Sequence, residues 1–325
     1  MRLFPLLPIL LAAMCPAQQG WNPHEGGLLK YRVMIRFGEE PDTLPEGWRF
    51  GRVSAVAVDS GGNVYVAQRG PHADPIVVFD AQGRYLRSWG KDLFSIPHGL
   101  RVDANDRIWV TDTGYHLVME FTSDGKLVRT VGTRGKPGAT QETFNRPTDV
   151  AFFPNGDFLV TDGYGNSRVV KFSRDGKYLM EWGRRGKGPG EFDTPHVAVI
   201  DSHQNVYVSD RENNRIQIFD SDGRFLRQWT HLGATQGMDI SPKDELWIIT
   251  HRNREENLAY DTLAGRIMHV DVESGAILGS MESPGHWLAL GRNGDIFIAS
   301  LTGNVFRWYQ GWVEGAREEA PGVVK

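Results

Sequence analysis

The chain has 325 residues, 36 Lys and Arg against 40 Asp and Glu, a formal charge of −4, and a single cysteine, Cys15. With no block of like charge, a nucleic-acid partner is not expected. With no cysteine beyond position 15, disulfides and thiolate chemistry are not expected either, so any metal must be held by His, Asp or Glu.

At the N-terminus, Met1-Arg2, the apolar run "LFPLLPILLAAM" and the following "CPAQQG" predict a secretory signal peptide over residues 1–17. The run is too short to span a bilayer, and polar sequence follows it at once. A lipoprotein anchor on Cys15 is the alternative, although Met14 fits poorly the small residue such processing favours. A secreted or periplasmic protein without a membrane span is therefore expected. Residues 18–30 read as an N-terminal segment and residues 313–325 as a C-terminal tail.

Between them, residues 31–312 repeat one unit: an apolar strand, a turn rich in Asp, Asn or Gly, a strand of the "VYV" type, a third strand, "DG", and a fourth strand ending near Trp-Gly. The second strands lie in "NVYVAQRG", "RIWVTDTG", "DFLVTDGYGNSR", "NVYVSDRENNR", "ELWIITHR" and "DIFIAS", and the fourth strands include "YLRSWG", "LVRTVG", "YLMEWG" and "FLRQW". Gly at 38 residues and Trp at 10 agree with an all-β chain. Six units of four strands predict a six-bladed β-propeller, and the repeat resembles the NHL repeat. The sixth unit runs short after "NVFRWY", whereas "YRVMIRFG" at residues 31–38 precedes the first unit unpaired. That strand is expected to close the ring on the sixth blade, removing an exposed edge.

Alignment of the units places Ser54, His98, Thr148, His196, Gln236 and His286 at one position near the start of each innermost strand. Alternate blades lie about a third of a turn apart in a six-bladed ring, so three imidazoles at one height converge on the central channel. Three His ligands with a fourth position open suit a catalytic zinc site. The alternative is three packing histidines with hydrogen-bonded rings. The imidazoles are expected within about 4 Å of one another, as zinc–nitrogen distances near 2 Å require. The other histidines, His24, His72, His116, His203, His231, His251 and His269, fall outside this position, with His72 and His251 within reach of the same face.

Each second strand exits on the face where its first strand began. Arg69, after "VYVAQ", and Tyr164, in "TDGYGNSR", therefore join the histidines and bracket His98. Tyr164 could simply cap the channel, and Arg69 could pair with Asp74 or Asp112. Beside a dication, however, a guanidinium favours the phenolate and makes Tyr164 a usable general base.

"LFSIPHGL", "IWVTDTGYHLVMEF", "FNRPTDVAFFPNGDFLVTDGYGNSRVVKFS", "FDTPHVAV" and "VYVSDRENNRIQIF" resemble, in order, the catalytic core of the peptidyl-α-hydroxyglycine α-amidating lyases. The resemblance implies a six-bladed propeller with zinc on His98, His196 and His286, a catalytic arginine at Arg69 and a catalytic tyrosine at Tyr164. The implied substrate is a small peptidyl or N-acyl α-hydroxyglycine, cleaved to an amide and glyoxylate by a protein expected to act as a monomer. The family also places an aspartate after its third histidine as a ligand to structural calcium. Here Trp287 stands there and cannot ligate a hard cation, which argues against calcium at that point. The rival readings are a non-catalytic propeller binding a peptide or glycan and a propeller hydrolase built on acidic calcium ligands, of which no set occupies the strand starts.

Overall fold

The computed structural model describes residues 31–37, 44–250, 265–283, 285–291 and 293–310. The expected signal peptide with Cys15, His24, His251 and the tail at 313–325 lie outside these residues. The described chain forms six four-stranded antiparallel sheets, each laid down in sequence order from the channel outward, except that one strand of the sixth comes from the N-terminus. This is the expected six-bladed propeller.

The burial patterns follow from that arrangement. The second strands of blades 1 to 4, VYVAQ, IWVTD, FLVTD and VYVSD, are buried throughout, because sheets pack against both of their faces. The outer strands alternate instead, as in YLMEW and FLRQW, with one face on the neighbouring blade and one in water.

The recurring Trp-Gly and "DG" elements form a single device. The glycine of each "DG" turn adopts a positive φ, 90° at Gly125 and 72° at Gly223, which glycine tolerates without steric cost. A Cβ on Gly125 would meet the Trp89 ring at 2.6 Å, and one on Gly223 would meet the Trp182 ring at 2.7 Å. The tryptophan ending one blade's outer strand therefore packs on the turn glycine of the next blade. The motif reads as an interblade joint.

The N-terminal strand, Tyr31–Phe37, pairs antiparallel with Val305–Gln310 in the sixth blade, from Tyr31 opposite Gln310 to Phe37 opposite Val305. The predicted closure is thus observed. Phe37 is fully buried, 5.3 Å from the Phe79 ring of blade 1 and 6.0 Å from the Phe297 ring of blade 6. Phe37→Ala is expected to cost about 3–5 kcal/mol, the usual range for a buried Phe. Removal of residues 1–37 should also bare the edge of Val305–Gln310 and cause self-association. Thermal melts and light scattering of the two variants check both outcomes.

Candidate active site

The aligned position holds in three dimensions. Ser54, His98, His196 and Gln236 are each the second residue of an innermost strand, and Thr148 and His286 immediately precede theirs. His98, His196 and His286 are buried, and their ring centroids lie 5.0–5.2 Å apart.

Each histidine is oriented by the blade beside it. The Nδ1 of His98 lies 2.8 Å from the Thr148 carbonyl, that of His196 lies 2.6 Å from the Gln236 carbonyl, and that of His286 lies 2.7 Å from the Ser54 carbonyl. A carbonyl only accepts, so each Nδ1 must carry the proton and each Nε2 its lone pair. Hydroxyls return the connection: Ser54 Oγ donates to the Pro97 carbonyl at 2.8 Å, and Thr148 Oγ1 donates to the Pro195 carbonyl at 2.9 Å. The residues between the histidines therefore fix the tautomers, as the outer partners of metal-ligating histidines do. Burial, reinforced by neighbouring positive charge, holds His98 and His196 well below the usual imidazole range, which keeps them neutral.

The loops leading into these strands are held by carboxylates at the ends of the second strands. Asp112 accepts from the backbone N–H groups of Ser95 and Ile96, directly before Pro97-His98, and Asp210 accepts from that of Asp193, shortly before Pro195-His196. Burial pushes the Asp210 carboxyl up, against hydrogen bonds from Asn213 and Arg215 that pull it down.

Tyr164 reaches the same centre. Its hydroxyl lies 2.9 Å from His98 Nε2 and 3.0 Å from His196 Nε2. The glycines flanking it allow close approach: a Cβ on Gly163 would meet the Pro195 carbonyl oxygen at 2.0 Å, and one on Gly165 would meet the Asn145 side chain at 2.2 Å. The loop is thereby pressed against the strand that carries His196.

Arg69 pairs with neither of the carboxylates considered for it. Its Nε donates to the Pro97 carbonyl at 2.8 Å, next to His98, while Asp112 is engaged by backbone N–H groups and Asp74 by the Ser88 hydroxyl. Burial lowers the Arg69 guanidinium, and Tyr164 is the largest influence in the other direction.

Two further arginines escaped the sequence reading. Arg211 opens a short 3-10 turn after the second strand of blade 4; its Nη1 lies 3.4 Å from the Tyr164 hydroxyl and its guanidinium 5.3 Å from the ring centroid. Arg146 lies 5.2 Å from the same centroid. A signal for Arg211 existed, since it follows "VYVSD" as Arg69 follows "VYVAQ". Arg146 gave none.

His98, His196 and His286 form a group able to hold a metal ion, with ligating atoms within 4.8 Å of one another. That limit is wider than the spacing of about 4 Å expected from the sequence. The donor chemistry nevertheless suits a cation. One phenolic proton can satisfy only one of the two Nε2 atoms beside Tyr164, which leaves two acceptors face to face unless positive charge lies between them. Of the other histidines, His72 accepts from Arg49 and His116 accepts from the Arg146 N–H, while His269 stacks on Trp247 at 4.6 Å. No helix among the described residues is long and apolar enough to cross a membrane.

The fold and site together define an NHL-repeat propeller with a buried three-histidine centre; the NHL repeat matches residues 94–121, 144–172 and 192–219. The chain is also homologous to peptidyl-α-hydroxyglycine α-amidating lyases. It is 34% identical over 200 residues to peptidyl-alpha-hydroxyglycine alpha-amidating lyase 1 of Drosophila melanogaster, covering 51% of this chain and 37% of the fly protein. With the peptidylglycine alpha-amidating monooxygenase of Rattus norvegicus it shares 37% identity over 230 residues, 61% of this chain and 23% of the rat protein. The chain thus spans about a quarter of that larger relative. Among solved structures, a streptogramin B lyase superposes with a TM-score of 0.58 at 15% identity, covering 86% of this chain and 98% of that one, which reflects a shared fold.

Proposed function

We propose that this protein is a zinc-dependent lyase that cleaves a peptidyl-α-hydroxyglycine to a C-terminal amide and glyoxylate, working as a monomer outside the cytoplasm. The observation that carries the reading is the Tyr164 hydroxyl, held within 3.0 Å of Nε2 of both His98 and His196. The homology to amidating lyases supplies the substrate class.

Zinc, bound through the three Nε2 atoms, would supply a Lewis acid at the floor of the site; all-nitrogen ligation with no thiolate favours it over redox metals. The chain's own residues do the rest. Tyr164, as phenolate, takes the proton of the substrate hydroxyl. The oxygen electron pair then forms the carbonyl, the carbon–nitrogen bond breaks, and the amide nitrogen leaves with that bond's electrons. Tyr164 returns its proton to the nitrogen, so every atom of the carbinolamide is found in the amide and the glyoxylate. Arg69, anchored on the Pro97 carbonyl, faces the negative oxygen that develops. Arg211 and Arg146, with guanidinium groups 5.3 and 5.2 Å from the centroid of the same phenol ring, suit the substrate carboxylate and offset the phenolate charge.

The purified mature chain is expected to hold about one zinc per molecule after dialysis and to release glyoxylate from a synthetic N-acyl-α-hydroxyglycine well above the spontaneous rate. Metal analysis and a glyoxylate assay measure the two. Peptide binding without glyoxylate release would instead identify a binding propeller.

A further inference from the structure

The channel beneath the histidines is filled by side chains. Trp287 is fully buried, stacked on His286 with ring centroids 6.2 Å apart and edge-on to His98 and His196 at 6.1 and 6.5 Å. Against the indole lies the Arg101 guanidinium, 4.8 Å from a Trp287 ring centroid. Arg101 comes three residues after His98 on the same strand.

Its guanidinium is bound on several sides. Nε and Nη2 donate to the two carboxylate oxygens of Asp149 at 3.0 and 2.7 Å, Nη2 also donates to the Met238 carbonyl at 3.0 Å, and Nη1 stands 3.7 Å from Asp239. Each carboxylate in turn holds another blade: Asp149 accepts from the Ala198 N–H, two residues past His196, and Asp239 accepts from the Leu290 N–H, four residues past His286. One cation thus ties together the three strands that present the histidines. A cavity of about 410 Å³, lined in part by Arg101 and Asp239, opens beyond this layer.

A divalent cation does not fit here. The position where the resemblance implies an acidic calcium ligand is the Trp287 indole, and Asp149 and Asp239 are already engaged by the guanidinium and backbone N–H groups. We infer that Arg101 is a tethered substitute for a structural ion, a positioning residue that sets the spacing of His98, His196 and His286 without calcium. Trp287 transmits that spacing as the floor on which the imidazoles rest. The inference relies on the metal reading of the histidines only for its zinc measurement.

Wild-type protein is expected to melt at the same temperature in millimolar calcium and in a calcium chelator, and to bind no stoichiometric calcium in equilibrium dialysis. Stabilisation by calcium, or one bound calcium per chain, would overturn the inference. Arg101→Met should lower the melting temperature by stranding the buried Asp149 carboxylate and leaving the partly exposed Asp239 without its cation. Arg101→Lys keeps the charge but loses the planar fork, and it provides a folded variant should Arg101→Met fail to fold. Below its melting temperature, Arg101→Lys should bind zinc about tenfold or more weakly in competition with a chromophoric chelator, a range typical of lost outer-shell support. A lower melting temperature with wild-type zinc affinity would reduce Arg101 to a packing role and sink the positioning claim. No arm of the test measures turnover, so a failure of the lyase reading would leave these results interpretable.

Discussion

Tyr164→Phe is expected to lower glyoxylate release by about a hundredfold to ten-thousandfold, the span that a positioned general base contributes. The substitution deletes one oxygen and keeps the ring that the Arg146 and Arg211 guanidinium groups approach to 5.2 and 5.3 Å. Its structural cost is the contact with His98 Nε2 and His196 Nε2 and the longer one from Arg211 Nη1, worth about 1 kcal/mol per hydrogen bond. The close approaches of Gly163 and Gly165 that seat the loop are made by backbone and are untouched. Melting temperature and zinc content should therefore stay near wild type while turnover collapses. Equal release by wild type and Tyr164→Phe would deny the phenol any chemical role. A parallel loss of zinc would instead make Tyr164 a prop for the metal centre.

How much of this site the sequence revealed depends on which residues lie on the repeat. The second strands recur in all six blades, closely in the first four and more loosely in "ELWIITHR" and "DIFIAS", and their registration alone brings His98, His196 and His286 to one height. Arg69 and Tyr164 follow from the same alignment, because an exit loop must share a face with the start of its own blade's first strand. Arg211 was equally legible in principle, since it occupies the position of Arg69 three blades on, yet a lone arginine in "DREN" carries no signal until its neighbour is known to be a phenol. Arg146 lies in an irregular loop with a φ of 64°, beyond any repeat position. Arg101 was hidden for another reason. It alternates with apolar residues on an inner strand, and only its distance to Asp149 across the blade boundary separates a structural cation from a solvated one. The odd-blade residues Ser54 and Thr148 show the same limit. Their identity at the aligned position was plain, but the hydrogen bonds linking them to the histidines depend on blade rotation, which a sequence does not specify.

The second large effect falls on the metal. His196→Ala is expected to reduce zinc retention to background after dialysis and to remove activity with it. Two imidazoles from alternate blades leave the ion open on one side, and even outer-shell losses cost metal sites about ten- to a hundredfold in affinity. The fold should survive, because the backbone at position 196 is held by the Asp210 carboxylate on the preceding loop and by Thr148 Oγ1 on the Pro195 carbonyl. What is lost locally is one hydrogen bond to the Gln236 carbonyl, the contact with the Tyr164 hydroxyl and the packing of one ring, a cost of about 1–3 kcal/mol. His203→Ala is the matched control: its side chain is 79% exposed in the turn at the other end of the same strand, away from the channel site. Zinc measured by mass spectrometry, together with glyoxylate release, should separate the pair, with His203→Ala behaving as wild type. Were both variants to keep zinc and activity, His196 would be a packing histidine and the three-imidazole centre would have to give way to another metal site or to none.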